Sequence, residues 1–389
     1  MLTTTGWSVS FGSLALLVVG RLLGIFELFL VGAGGIALVL TAVLRVATVR
    51  LRVDVTRELQ PARVHAGTPS RVELRVRNGG SRRTPVLSLR DPVGRGRAAR
   101  VVLAPLGPDE TVRAAYRLPT ERRGLLRVGP MAIEIADPFG LASATSQGAG
   151  ITELTVWPAV DDVAPLPHTT GDDPLAGSDH PNAVSPQGDD FYALRPYVVG
   201  DDLRRVHWKS SARSDDLMVR QDEMPWQGRA TVILDSRRGS HSDESFERAV
   251  SASASVVLAC SRRRFLVRLV TTSGDDTQYG AGGTHVEGIL ERLSTIELTE
   301  EGRLLPVLTA LRRSGSGGAL VAMLGGRAVT DVPAVQRLRT THPSLTIVRF
   351  VVGRLDRDAR NVGELLVDDD APFPDVWNAA SRKRPMRQR

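Results

Sequence analysis

Two apolar runs open the chain, Ser8 to Gly24 and Ile25 to Leu44, interrupted only by Arg21 and Glu27. Together they hold about 37 residues, and one crossing of a bilayer core takes about 20. The pattern predicts a transmembrane helical hairpin within residues 1–48, with helices at about 8–24 and 25–44. The turn falls between Gly20 and Glu27, which puts both charges at a membrane surface. Within hydrocarbon each would cost about 2.5–3.5 kcal/mol. A secretory signal peptide is the competing reading. Against it, no Lys or Arg precedes the run, the run is too long, and no small-residue cleavage site follows.

Beyond the hairpin the period changes to two. Leu51, Val53 and Val55 alternate with Arg52, Asp54 and Thr56. Val72, Leu74 and Val76 alternate with Arg71, Glu73, Arg75 and Arg77, and Val112, Ala114, Tyr116 and Leu118 repeat the pattern. Such runs are half-buried strands. Turn residues punctuate them at Ala66–Pro69, Asn78–Gly80, Leu106–Asp109 and Asp137–Gly140. Residues 49–160 are therefore expected to form an antiparallel β-sandwich. From 161 to 187 the apolar pattern stops among Asp, Gly and Pro, predicting an exposed linker.

From Leu217 to Val367 apolar strands alternate with amphipathic helices. The strands are Leu217–Arg220, Ala230–Asp235, Phe265–Thr271, Ala319–Leu324, Leu345–Val351 and Glu364–Val367. The helices are Asp243–Arg263, Val286–Leu293, Arg303–Arg313 and Val332–Thr340. This pattern predicts a mostly parallel sheet covered on both faces, within a region spanning 188–372. Ligands of such sheets bind at the carboxyl ends of strands, which directs attention to Asp235.

Composition modifies this picture at a few points. The 389 residues carry a formal net charge of +7, and all but Lys209 and Lys383 of the 50 basic side chains are Arg. Acidic residues are interspersed, so the charge forms no phosphate-binding stripe. The segment 373–389 is read as a basic tail, either solvated or touching anionic lipid. Arg45, Arg50, Arg52 and Arg57 crowd the exit of the second helix, whereas the turn carries one Arg and one Glu. Excess Arg beside a span marks the cytoplasmic side. The expectation is a two-span protein of the cell membrane with its N-terminus and folded domains in the cytoplasm. A lone cysteine, Cys260, agrees with a reducing compartment. Its place on the apolar face of a helix favours packing over reactivity.

The densest chemistry lies between Gly188 and Arg220. Phe191, Tyr192, Tyr197 and Trp208 stand among Arg195, Arg204, Arg205, Lys209 and Arg213, with Asp189, Asp190, Asp201 and Asp202. Gly200-Asp201-Asp202 reads as a turn opening a short helix with Arg204, His207, Trp208 and Ser211 on one side. A cluster of this kind either locks a linker onto the sheet through ion pairs or presents a docking surface, since Arg, Trp and Tyr dominate binding hot spots. Both readings stay open. Among enzyme signatures, no phosphate-cradling loop, H-E-x-x-H helix or C-x-x-C pair occurs. His207, Asp235 and Ser240 form a trio of the kind that chance supplies in any chain of this size.

The run resembles the signature of the bacterial "domain of unknown function 58" family. Gly188, Phe191, Leu194, Arg195, Tyr197, Gly200, Asp201, Arg204, Trp208, Ala212, Arg213, Leu217 and Val219 stand in register with it, and Asp190 replaces the usual Glu. Arg122–Gly124, Val128–Pro130 and Asp137–Leu141 are similar to the family's sandwich domain. The resemblance implies a von Willebrand factor A-like (Rossmann-type) α/β domain and a MoxR-type AAA+ ATPase as partner. It also implies an Asp-x-Ser-x-Ser loop for Mg²⁺, which wants a shell of oxygens. Here the loop reads Asp235-Ser236-Arg237-Arg238-Gly239-Ser240, with Thr284 in a threonine-bearing loop and Gly325-Gly326 where a later Asp is usual. The expectation is a degenerate metal site, in which Arg237 or Arg238 replaces the ion beside Asp235, and no cofactor. The sequence thus leaves three function classes: a non-enzymatic membrane scaffold, an envelope hydrolase using the Asp235 loop, and a nucleic-acid binder resting on charge and interleaved aromatics.

Overall fold

The computed structural model describes residues 2–49, 51–166, 191–197, 206–213, 216–222, 228–314, 317–342, 344–352 and 363–383. The chain divides into two compact units, Met1–Ala159 and Val160–Arg389.

In the first unit, helices α1 (Thr4–Leu23) and α2 (Phe26–Thr48) occupy the two apolar runs, and each is long and apolar enough to cross a membrane. The Thr3 hydroxyl caps α1 by accepting from the Gly6 N–H at 3.0 Å. Gly24, at φ 67°, ends it in the left-handed conformation. The helices pack through small residues: a Cβ on Gly32 would lie 2.7 Å from the Leu17 nitrogen and Ser13 oxygen. In a bilayer apolar chains would gain nothing by leaving lipid, and close backbone approach would be what holds such helices together.

Ten strands follow: β1 (Val53–Gln60), β2 (Arg63–His65), β3 (Ser70–Asn78), β4 (Leu87–Val93), β5 (Arg97–Leu103), β6 (Thr111–Leu118), β7 (Gly124–Val128), β8 (Ala132–Ala136), β9 (Ser143–Gln147) and β10 (Thr152–Trp157). They make a three-stranded sheet, β1-β3-β6, and a seven-stranded one, β2-β10-β7-β4-β8-β9 with β5 on β4. Pairing is antiparallel except between β10 and β2, which run parallel, a departure from the all-antiparallel expectation. Burial alternates along β3, so Val72, Leu74 and Val76 enter a core shared with Leu87, Leu89, Ile133 and Leu154 of the other sheet. Val39, Ala42 and Val46 of α2 join the same core.

One buried polar cluster ties the sheets. The Arg57 guanidinium on β1 donates to Asp91 on β4 at 2.7 Å, with the two side chains 1% and 2% exposed. Tyr116 on β6 donates its hydroxyl to the same carboxylate at 2.6 Å. Burial, followed by the hydrogen bond to Asp91 and then that carboxylate's charge, pushes the Tyr116 hydroxyl well above its ordinary pKa. Arg57 is thus an internal structural group and not one of the free charges that follow α2.

In the second unit, β11 (Phe191–Pro196) and β12 (Met218–Asp222) form a two-stranded antiparallel sheet. The strand expected at Leu217–Arg220 therefore stands apart from the parallel sheet. That sheet contains β13 (Arg229–Leu234), β14 (Leu266–Thr271), β15 (Ala319–Gly325), β16 (Ser344–Phe350) and β17 (Glu364–Val367), ordered β14-β13-β15-β16-β17 and parallel throughout. Short helix α3 (Trp208–Ser211) precedes it. Helices α4 (Asp243–Arg262), α5 (Gly283–Thr295), α6 (Leu304–Ser314) and α7 (Val332–Gln336) fall between strands. α4 opens with a capping box between Ser242 and Ser245. The last expected helix is split, because α7 continues as a 3-10 turn over Arg337–Thr340.

The ends of this unit differ from expectation. Residues 373–383 of the expected tail form helix α8 (Phe373–Lys383), which buries Phe373 and Trp377. The first part of the expected linker packs there too. Trp377 donates to the Ala164 carbonyl at 2.7 Å, Ala164 N–H donates to Asn378 at 2.8 Å, and Val163 and Leu166 are buried. Residues 167–187 lie outside the described residues.

Candidate functional site

Asp235 follows β13 directly, at the carboxyl end of the sheet. From β13 the chain runs outward to β14 and then returns to β15 on the other side, so Asp235 stands where the winding reverses. Its backbone N–H donates to the Met323 carbonyl of β15 at 3.0 Å, which holds the residue against the neighbouring strand.

The carboxylate is fully buried and fully engaged. Arg237 donates its Nε to Oδ1 and its Nη2 to Oδ2, both at 2.8 Å, and its backbone N–H to Oδ1 at 3.1 Å. Ser240 donates its hydroxyl to Oδ2 at 2.5 Å, and Thr272 donates its own to Oδ1 at 3.2 Å. The guanidinium continues outward to Asp331, with Nη2 at 2.7 Å from Oδ2. Burial alone would raise the Asp235 pKa. The hydrogen bonds from Arg237 and Ser240 and the Arg237 charge outweigh it and hold the carboxyl below its usual range. Arg237 is correspondingly raised, first by its hydrogen bond to Asp235.

Of the two arginines named from sequence, Arg237 partners Asp235. Arg238 points outward to Asp243 and Glu300 at 3.6 and 3.4 Å. Thr284 sits exposed in the first turn of α5, and the hydroxyl that reaches Asp235 belongs to Thr272. The glycine at 325 has a local cause: a Cβ there would lie 2.0 Å from the Ser240 carbonyl oxygen. The acidic group of the cluster comes six positions later, as Asp331. Thr272 and Asp331 are the residues that sequence reasoning missed. Thr272 is signalled only by being the first hydroxyl after the strand beside β13, and nothing in the local sequence signals Asp331.

This donor set does not fit a hard dication. Both oxygens of Asp235 already accept from a bidentate cation and a hydroxyl, and the guanidinium occupies the space in front of them. Among the described residues, no group of three or more His, Cys, Asp or Glu could hold a metal ion. His241, adjacent to the loop, is buried, and desolvation pushes its pKa down to about 4. Its Nδ1 lies 3.1 Å from the Ser245 hydroxyl. His207 instead caps α3, with Nδ1 2.9 Å from the Ser210 hydroxyl. Cys260 is buried, and burial pushes its thiol up to about 11, which leaves it protonated at neutral pH. On the same sheet edge, fully buried Arg349 of β16 pairs with Glu364 of β17 at 2.8 Å and donates to the Gly326 carbonyl at 2.9 Å.

The signature segment is split between lock and surface. Val206 bridges to Val219, and both are buried, while Tyr197 N–H donates to the Leu217 carbonyl at 2.7 Å. Trp208 is 66% exposed, and Ala212 and Arg213 are exposed beside it. Gly200, Asp201 and Arg204 lie outside the described residues, as do the side chains of Phe191, Leu194, Arg195 and Lys209.

Residues 193–370 match the family model described as "Protein of unknown function DUF58". The match supports the DUF58 family, and it spans the signature from Leu194 to Val219, the Asp235 loop and all five parallel strands. No curated protein matches the chain. Three solved structures illustrate the remaining likeness. The CARDB domain of the PF1109 protein from Pyrococcus furiosus, in complex with di-metal ions, is 15% identical over 28% of this chain and 92% of that one, at a TM-score of 0.21. The putative ApaA protein from Bordetella pertussis is 19% identical over 28% and 94%, at 0.20. The alkylpurine DNA glycosylase AlkC from Pseudomonas fluorescens is 17% identical over 28% and 33%, at 0.18. At such TM-scores these likenesses carry no argument about this DUF58-matching chain.

Proposed function

We propose that the protein is a membrane-anchored, non-enzymatic scaffold whose α/β unit docks a cytoplasmic protein partner. The observation that carries this reading is the sealed Asp235: the carboxylate best placed for chemistry already serves Arg237, Ser240 and Thr272. A group held this way has no lone pair for a metal or a proton relay. The fold is then read as a von Willebrand A-like domain whose ion is replaced by a guanidinium, following a β-sandwich. The α1–α2 hairpin tethers both units to the cell membrane. Arg45, Arg50 and Arg52 at its exit favour a cytoplasmic placement.

Exposed Trp208 and Arg213 supply residue types that anchor protein interfaces. By family resemblance the partner is a MoxR-type AAA+ ATPase, the pair acting in assembly or maturation of other proteins. The test is affinity purification of the full chain from native membranes. A MoxR-type ATPase is expected to co-purify, and Trp208→Ala with Arg213→Ala is expected to weaken its recovery. Recovery of the chain without any such ATPase overturns the partnership.

A further inference from the structure

Chemistry unused by the scaffold reading gathers at the end of the β-rich unit that receives the two apolar helices. Thr3, the N-cap of α1, donates its backbone N–H to the Leu141 carbonyl at 3.0 Å and its hydroxyl to the Gly140 carbonyl at 2.5 Å. The residue before Gly140 is Phe139, which is 65% exposed. The turn presenting it is braced. Buried Asp137 accepts from the Phe139 N–H at 2.9 Å and from the Ala142 N–H at 2.6 Å. A large apolar ring is thus held out from the protein beside the first residues of an apolar helix.

The exit of α2 adds charge at the same end. Four residues beyond its last residue, Thr48, the Arg52 carbonyl accepts from the Gly79 N–H at 2.7 Å. The turn that follows carries exposed Arg82 and Arg83, and Asn78 fixes it by donating to the Arg82 carbonyl at 2.8 Å. Ser88 of β4 pairs with Glu134 of β8, so Val86, 51% exposed, lies level with Ala136 just before the Phe139 turn. The acidic groups nearby are largely committed. Asp137 is buried in its turn, Asp109 pairs with Arg77 at 2.9 Å, and Glu110 accepts from the Gly107 N–H at 2.6 Å. Asp54 lies beside Gly79.

We propose that this end of the β-rich unit is a lipid-facing surface, with Phe139 entering the bilayer interface and Arg82, Arg83 and Arg52 lying over anionic headgroups. The proposal rests on reading α1 and α2 as membrane-spanning. Continuity with those helices is what selects lipid as the occupant, since the turn that presents Phe139 is tied through Gly140 and Leu141 to Thr3, the N-cap of α1. Aromatic rings settle at the headgroup level of a bilayer, and basic side chains are drawn to its anionic leaflet. A third contact of this kind holds the unit down on the membrane, where two helices alone would let it tilt.

The test uses the full chain in vesicles of equal parts phosphatidylcholine and phosphatidylglycerol. An NBD fluorophore is placed at Phe139→Cys, at Leu14→Cys within α1, or at Ile151→Cys, exposed on the loop at the other end of β9; buried Cys260 stays unlabelled. Nitroxide lipids labelled at the headgroup are expected to quench the 139 label about twofold or more, as an interfacial group requires. Mid-chain nitroxides are expected to quench the 14 label, and neither should affect the 151 label. Arg82→Gln with Arg83→Gln is expected to reduce the 139 quenching to its level in phosphatidylcholine alone. A quenched 14 label with an unquenched 139 label overturns the proposal and leaves the spanning helices standing. An unquenched 14 label removes the membrane reading itself. A 139 label shielded from aqueous iodide but untouched by nitroxide lipid means that protein covers the turn, which also overturns it.

Discussion

Asp235 and Arg237 are two residues apart, yet the pair behaves as part of the core, because the carboxylate has no access to water. Removing one member of a buried pair strands the other, which costs about 3–5 kcal/mol, whereas an exposed pair is worth about 1 kcal/mol or less. Arg237→Ala is therefore expected to lower the stability of the α/β unit by about 3–5 kcal/mol. Arg237→Lys should recover only part of that, since an ammonium lacks the planar fork that meets both oxygens. Chemical denaturation of the detergent-solubilised chain measures this, and a loss below about 1 kcal/mol would show that the guanidinium is dispensable. Buried His241 gives the same region an acid limit. Desolvation lowers its folded-state pKa from 6.5 to about 4. The unfolded chain therefore binds the extra proton first. Its contribution is present in full above about pH 6.5 and is lost as the pH falls towards 4, with a slope of at most about 1.4 kcal/mol per pH unit. His342, also lowered by burial, acts in the same direction. Denaturation midpoints taken between pH 7 and 4 should fall in the wild type, and the slope should be shallower in His241→Gln. An unchanged slope would mean that the ring is protonated in the folded protein.

At the scale of elements, the sequence was most legible where burial left one choice. The strands of the parallel sheet are nearly continuous apolar runs, and their ends fall within a residue or two of the expected ones. Period and composition do not name a strand's partner, so the pattern alone groups Leu217–Arg220 with the parallel sheet and gives no sign of the parallel β2–β10 pairing. The candidate site was legible in its local half, since Asp235, Arg237 and Ser240 share one loop. Thr272 and Asp331 arrive from other strand ends, and only the fold brings them in. α8 is masked in the sequence by the basic run that begins at Arg382, although Phe373 and Trp377, four positions apart, mark one helix face. The hairpin makes a sharper claim. A side chain at Gly32 would meet Leu17 and Ser13 backbone atoms at 2.7 Å, whereas Gly34 faces open space. Gly32→Leu is expected to destabilise the helix pair by about 1–3 kcal/mol and Gly34→Leu to leave it unchanged. Thermal unfolding in detergent compares them, and equal behaviour would mean that the helices are not packed on this face.

For the whole molecule, the tie between Thr3 and Leu141 constrains topology independently of charge. It holds the start of α1 against the β-rich unit, and α2 runs into the first strand of the same unit. If the helices span a bilayer, both outer ends of the hairpin lie on one side and the Gly24 turn on the other. Charge then selects the side. The turn offers Arg21 balanced by Glu27, while Arg45, Arg50 and Arg52 stand at the exit, and an excess of Arg is retained in the cytoplasm. Leu22, 79% exposed beside the turn, and Ile151, 61% exposed on the β-rich unit, report the two sides. In intact cells a membrane-impermeant maleimide is expected to label Leu22→Cys and to reach Ile151→Cys only after permeabilisation. The reverse pattern would put the folded domains outside the cell, beyond the reach of an ATP-driven partner. Labelling of both from outside would break the hairpin itself, because the hydrogen bonds at Thr3 allow no arrangement of two spans with those sites on the same face.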